Sequence, residues 1–232
     1  MSTKNSLSWD VSRIFFLRTE PDRIITLSML FSGLLVLAGI IHTHHLVFMF
    51  LVWNLFLAWL PYALTKLLAS KPGWLQNKMR FALFFLVWLL CIPNSFYILT
   101  DLYHLGDFYN DPGTPSWYDL AVILSFAWNG LLLGIVSVRQ MEKLLHAYIY
   151  PLHEWLFLYP VMWLNALGVY TGRYLRFNSW DVLTDPFPLM RCLLEMGLHP
   201  IGFRYAWGMI FCFSVMMTLM YLTIKKIATA FF

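Results

Sequence analysis

The chain of 232 residues is 60% hydrophobic and 12% charged, with a mean hydropathy of +0.65, whereas an ordinary soluble domain carries about a quarter of its residues as charges. This composition excludes a soluble globular fold. The net charge of +4 comes from basic residues that are scattered at the ends of apolar runs, so nucleic acid is not an expected partner. The three cysteines have no CxxC spacing and predict neither a disulfide framework nor a cysteine-built metal site.

Six apolar runs approach the length of about 20 residues that a helix needs to cross the hydrocarbon of a bilayer. Helices are the expected structure because backbone polar groups in lipid must be satisfied within the segment. The predicted fold is therefore all-α, a polytopic transmembrane helical bundle over residues 24–226 that follows a polar inner-face segment, 1–23. The predicted spans are 24–41, 46–68, 81–99, 118–138, 155–170 and 201–224.

Charge patterning predicts the orientation of this bundle. Twelve of the sixteen Lys and Arg residues fall on the side of the two termini, and seven of the twelve carboxylates fall on the opposite side. Cytoplasmic loops are the ones enriched in Lys and Arg. We therefore predict a multi-pass protein of the cell (inner) membrane with both termini in the cytoplasm.

Two long outer loops, at about 100–117 and 171–200, are the expected places for function, since binding residues often lie on loops. In the second loop, Asp185 and Pro186 form a plausible N-cap and first-turn pair, and Gly197 is a plausible stop. This pattern predicts a short helix in the membrane interface.

The stretch "PNSFYILTDLYHL" (93–105) sets polar residues at the outer end of the third span. Offsets of seven and three residues place Asn94, Asp101 and His104 near one face of a continuing helix, with Tyr97 between them. Ionisable groups at membrane depth usually face the bundle interior, and they indicate a functional site by default. Pro93 is expected to kink the helix because it removes a backbone hydrogen bond.

A second polar stretch, "GVYTGRYLRFNSWD" (168–181), follows the fifth span. Arg173 and Arg176 are one turn apart and can offer two guanidinium forks to a carboxylate or phosphate. Asn178 and Asp181 have the same spacing if the helix continues. Asp119 adds a carboxylate at the outer entrance to the fourth span.

Other interpretations of these residues stay open. An ion pair of Asp101 with Arg173 or Arg176 would fix helix packing without any ligand. Asp101 and His104 have a spacing that resembles the Glu-x-x-His pattern of carboxylate-bound metals, which leaves a divalent metal as an alternative. The chain has no glycine-rich phosphate loop, GxSxG elbow or HExxH motif.

Residues inside the spans predict how the helices pack. Asn54 in the second span is expected to pair with a polar group on another helix. Gly130 with Gly134, and Gly168 with Gly172, form small-xxx-small pairs that allow helices to approach closely.

The strings "LVWNLFLAWLPYAL", "IPNSFYILTDLYHL", "WYDL" with "NGLLLGIVSV", and "LGVYTGRYLRFNSWDVL" resemble a bacterial family of integral membrane proteins, domain of unknown function 1361. The resemblance covers about residues 51–183. It implies no activity, substrate or cofactor, because none is established for the family. It implies a shared polar set, which consists of Asn94, Asp101, His104, Asp119, Arg173, Arg176, Asn178 and Asp181.

We therefore expect an outward-facing polar site that binds or acts on an anionic or lipid-like substrate. The candidates for catalysis are Asp101, His104 and Asp119, and those for substrate binding are Arg173, Arg176, Asn94, Asn178 and Asp181. A metal, if one binds, would be held by Asp101 and His104. The alternatives are a transporter or binding protein, and an accessory subunit of a homo-oligomer or a hetero-complex in which the polar cluster is an ion-paired clasp.

Overall fold

A computed structural model describes residues 20–105, 114–148, 153–177 and 181–231, and this part of the chain is helical with no strand. Candidate Asn178 therefore lies outside the described residues. The α-helices are α1 (Glu20–Thr43), α2 (Met49–Ala69), α3 (Pro72–Gln76), α4 (Lys78–Cys91), α5 (Pro93–Tyr97), α6 (Ser116–Tyr148), α7 (Glu154–Arg173), α8 (Asp181–Thr184), α9 (Pro186–Leu198) and α10 (Arg204–Phe231). A 3₁₀-helix, Ile98–His104, continues α5.

Among the described residues, five helical segments are long and apolar enough to cross a membrane. They are α1, α2, the segment Lys78–His104, α6 and α10, and they correspond to five of the six predicted spans. The remaining predicted span, 155–170, falls on α7, a helix of 20 residues that is not among these five segments. Helix α7 has Glu154 in its first turn, Arg173 in its last turn, and Pro160 and Asn165 in its interior. A multi-pass helical bundle is confirmed, whereas the crossing of α7 stays a prediction.

The boundaries of several elements differ from those predicted. The first helix begins at Glu20, within the segment that was assigned to the inner face. The predicted start of the outer loop at residue 100 is wrong, because the 3₁₀-helix runs to His104. The chain stays helical there because Asp101 is held by polar contacts with two other helices. The fourth span was predicted to end at residue 138, but α6 continues to Tyr148 through a polar stretch.

Helix α9 confirms the short helix predicted in the last outer loop. Asp185 occupies the N-cap position, although its side chain makes no capping hydrogen bond, and Pro186 opens the helix. The helix ends at Leu198, one residue beyond the predicted stop at Gly197.

Short helix α5 fits between α6 and α7 because both present glycine to it. A Cβ on Gly130 of α6 would lie 2.1 Å from the Ile98 side chain, and a Cβ on Gly168 of α7 would lie 2.6 Å from the Pro93 ring. Gly134 and Gly172 make similar close approaches. The predicted packing role of both glycine pairs is confirmed, and these pairs set the position of the polar residues that follow Pro93.

Partly buried ion pairs hold the helices together at the end of the bundle opposite Asp101. Glu142 of α6 accepts hydrogen bonds from Arg139, from Lys225 of α10 at 2.9 Å and from the Tyr221 hydroxyl. Lys225 also binds Glu154 of α7 at 2.6 Å. These contacts connect α6, α7 and α10.

The same arrangement recurs between α1 and α2. Asp22 accepts hydrogen bonds from the Tyr62 hydroxyl and from the Lys66 ammonium, the latter at 2.9 Å. In both places a Tyr and a Lys four residues apart on one helix bind a nearly buried carboxylate of another helix.

Candidate functional site

Asp101 is the centre of the polar cluster at the opposite end of the bundle. Its side chain is only 1% exposed. Oδ2 accepts a hydrogen bond from Asn54 Nδ2 of α2 at 2.7 Å, and Oδ1 accepts one from Arg173 Nη1 of α7 at 3.4 Å. A buried carboxylate needs such partners because an unpaired charge in a low dielectric is strongly unfavourable. Asp101 therefore ties the 3₁₀-helix to α2 and α7.

Arg173, the last residue of α7, contacts the other side chains of the cluster. Its Nη1 donates to the Tyr97 hydroxyl at 3.4 Å, and its Nη2 lies 3.1 Å from His104 Nε2. Because a guanidinium can only donate, that histidine nitrogen is the acceptor. The guanidinium carbon also lies 5.8 Å from the ring centres of both Tyr97 and Tyr103, a distance at which cation–π attraction is effective.

A cavity of about 350 Å³ lies beside this cluster. Most of its wall is apolar and includes leucines from α2, α4, α7 and α9, namely Leu57, Leu89, Leu90, Leu164, Leu167 and Leu193. The lining residues that carry a polar side-chain group are Trp53, Asn54, Asn94, Tyr97 and Thr171. Asn54 and Tyr97 belong to both the cavity wall and the ion-paired cluster, so the two features form one site.

The chain that follows α7 folds back over this cavity. Arg176 adopts a left-handed backbone conformation with φ of 58°, and Phe177 N–H donates to the Thr171 carbonyl at 3.1 Å. Phe177 then lines the cavity, together with Leu189 and Leu193 of α9. Helix α9 therefore covers the cavity with one face.

Three of the predicted site residues meet as expected, since Asp101 and His104 both contact Arg173. Asn94 lies in the cavity wall. The predicted pairing of Arg173 with Arg176 is wrong, because α7 ends at Arg173 and the Arg176 side chain is exposed.

The remaining described candidates are Asp119 and Asp181. Asp119 is 2% exposed and accepts a hydrogen bond from Thr114 at 2.5 Å, near the start of α6. Among the described residues, no hydrogen bond or ion pair joins Asp119 to Asp101 or Arg173. Asp181 begins α8, eight residues after Arg173 at the end of α7.

The donor set around Asp101 does not favour a metal ion. Within the described ranges, no three His, Cys, Asp or Glu side chains come together in a way that could hold one. Asp101 Oδ1 and His104 Nε2 both contact the Arg173 guanidinium, so a metal at these atoms would have to replace a cation that is already bound there.

Two residues of the site have roles that the sequence did not indicate. Asn54 was predicted to pair across helices, which is confirmed by its bond to Asp101, but its place in a cavity wall was not predicted. Tyr103 was not singled out, although its position next to His104 in the sequence puts it in the same turn. The only signal for Asn54 was an amide within an apolar span.

The fold and the site define a multi-pass helical membrane protein with a largely apolar cavity beside a buried Asp–Arg pair. The chain belongs to the family described as protein of unknown function DUF1361, whose model matches residues 53–221. That range contains every residue of the cluster and of the cavity wall. No curated protein and no solved structure matches the chain.

Proposed function

We propose that the protein binds a lipid-like amphiphile in the cavity between α2, α4, α7 and α9. The observation that carries this proposal is the composition of the cavity wall, which is apolar along most of its length and has a few polar groups next to the Asp101–Arg173 pair. Binding sites for small molecules commonly combine these two properties.

The apolar wall suits a hydrocarbon chain. Leucines from α4 and α7 face the same space, with Leu89 and Leu90 on one helix and Leu164 and Leu167 on the other. Burying apolar surface there contributes about 25 cal/mol per Å². An alkyl chain in a membrane gains less than this because lipid is already apolar, so the polar groups must supply the selectivity.

Asp101 and Arg173 are positioning residues in this proposal. They lie behind the cavity wall and hold two residues of the wall in place, Asn54 through Asp101 and Tyr97 through Arg173. His104 adds a third contact to the guanidinium. The catalytic role that the sequence raised for Asp101 and His104 is not part of the proposal.

A second candidate, a purely structural clasp, is favoured by one observation. The Asp101–Arg173 pair joins the 3₁₀-helix to α7 in the same way that Glu142 and Lys225 join α6 to α10. The two candidates differ in the wall of the cavity, since a clasp has no need of a largely apolar wall with a few polar groups beside it.

The test is photolabelling of the purified protein, exchanged into amphipol, with a dodecyl amphiphile that carries a diazirine at the end of the chain. Peptide mass spectrometry should place the label on the segment around Leu164 and Leu167. Leu193→Trp fills the cavity from α9 and should abolish this labelling.

Leu194→Trp is the matched control, because Leu194 is the next residue of α9 and is 62% exposed. Labelling of the cavity segment should survive in this variant. Equal labelling in both variants, or labelling spread over the lipid-facing surfaces, would refute the proposal and leave the clasp.

A further inference from the structure

We infer that the amphiphile of this site carries an uncharged, hydroxyl-bearing head group. This inference rests on the proposed function, and it makes that function more specific. It starts from the cavity wall, in which no carboxylate, ammonium, guanidinium or imidazole occurs among the described residues. The polar side-chain groups of the residues in the wall are two amides, two hydroxyl groups and the indole N–H of Trp53.

The charges of the ion pair beside the cavity neutralise each other. Asp101 and Arg173 carry opposite charges and lie 3.4 Å apart, with side chains that are 1% and 16% exposed. A charged head group would bring an additional charge into this poorly solvated place without a counter-ion in the wall. Burying a charge without a partner is strongly unfavourable, so a neutral head group is favoured.

The orientation of the Asn54 amide shows what the wall can recognise. The Asp101 carboxylate can only accept, so the Asn54 group that faces it at 2.7 Å must be the NH₂. The amide oxygen of Asn54 therefore points away from Asp101, and it has no hydrogen-bond partner among the described residues. A hydroxyl group of the ligand is a donor that can reach such an acceptor.

Tyr97 supplies the complementary group. Its hydroxyl oxygen accepts from Arg173 Nη1 at 3.4 Å, which leaves its own O–H proton to donate. A hydroxyl group donates and accepts at once, so one ligand hydroxyl can accept from Tyr97 and donate to Asn54. A carboxylate could accept a hydrogen bond from the Tyr97 hydroxyl but would repel the amide oxygen. A quaternary ammonium has no hydrogen to donate to the amide oxygen and no lone pair to accept from the hydroxyl.

The experiment compares three diazirine probes that have the same dodecyl chain and differ only in the head group, which is glycerol, carboxylate or trimethylammonium. We expect the glycerol probe to label the Leu164 segment at about tenfold lower concentration than the other two, which corresponds to about 1.4 kcal/mol. Asn54→Leu removes the acceptor and should bring the three probes to within about twofold of each other while labelling by the chain persists.

Asp101→Asn is the second variant, because an amide in place of the carboxylate no longer fixes which way Asn54 points. It should also reduce the preference for glycerol. Equal labelling by the three probes in the unmodified protein would overturn the inference and leave the proposed function standing. Strongest labelling by the carboxylate probe would overturn it in favour of an anionic head group. Absence of cavity labelling by any probe would refute the proposed function itself.

Discussion

Removing the cationic partner of Asp101 is expected to destabilise the protein by about 3 kcal/mol. Arg173→Met keeps an apolar stem of similar length but leaves Asp101, which is 1% exposed, with Asn54 as its remaining described partner. Breaking a buried pair by removal of one member costs about 3–5 kcal/mol. The 3.4 Å separation and the retained Asn54 bond place this case at the lower end of the range.

The double variant Asp101→Asn with Arg173→Met separates the charge from the packing. It removes both charges, so no buried ion is left unpaired, and it should recover about 1–2 kcal/mol relative to the sum of the single changes. The free energy of unfolding would be measured by titration with SDS in mixed micelles, followed by tryptophan fluorescence.

Arg191→Met is the matched control for this cycle. Arg191 forms an ion pair with Glu195 at 3.0 Å, but the side chains are 83% and 49% exposed, and such pairs contribute little. Its loss should cost below about 0.5 kcal/mol. The reasoning is refuted if Arg173→Met costs no more than this control, or if the double variant is as unstable as the sum of the single variants.

Three further predictions concern backbone conformation, helix contact and the opposite ion-paired cluster, and each is read from thermal unfolding in detergent. Arg176→Gly should stabilise the protein by about 1 kcal/mol because glycine adopts a left-handed conformation without strain. Arg176→Ala is the control and should give no gain. A gain in both variants would show that backbone strain is not the cause. Gly168→Ala should lower the free energy of unfolding by about 1–3 kcal/mol, since its Cβ would lie 2.6 Å from a proline ring. Gly33→Ala, with open space around it, is the control and should cause no loss. Similar losses in the two variants would contradict the close contact. Glu142→Gln should destabilise the protein more than Asp101→Asn does, because Glu142 accepts hydrogen bonds from three donors and Asp101 from two. The reverse order of stability would contradict this comparison.

Much of the fold could be predicted because apolar length alone determines where helices can cross a bilayer. The predicted span 46–68 matches Met49–Ala69 closely, since polar residues flank that run at both ends. The end of α6 was predicted ten residues too early. Helix continues there without apolar character because Glu142 is held by Arg139 and by groups on α10, a contact that the local sequence does not reveal.

The site was only partly predictable, because its contacts join residues that are far apart in the chain. Asp101 and His104 were identified from their depth in the membrane, and Arg173 from its neighbouring charges. Their meeting depends on how α7 is rotated, which Gly168 and Gly172 determine through contact with α5. The cavity could not be predicted at all, since it arises where side chains from four helices leave space.

Asp101 and Glu142, which are buried carboxylates at opposite ends of the bundle, differ in a way that bears on function. Glu142 accepts hydrogen bonds from a guanidinium, an ammonium and a phenol, as a carboxylate that only holds helices together should. Asp101 accepts two described hydrogen bonds, one from Asn54 at 2.7 Å and one from Arg173 at 3.4 Å. A carboxylate can accept about four hydrogen bonds. One of these bonds turns the Asn54 amide oxygen away from Asp101, beside a cavity that Asn54 lines. Glu142 also borders a pocket, but the other residues that line it are Arg139, Lys143, His146 and Ala147, whereas the wall beside Asp101 is largely apolar and presents a neutral acceptor. A clasp does not need such a wall, and a site that binds an uncharged ligand does.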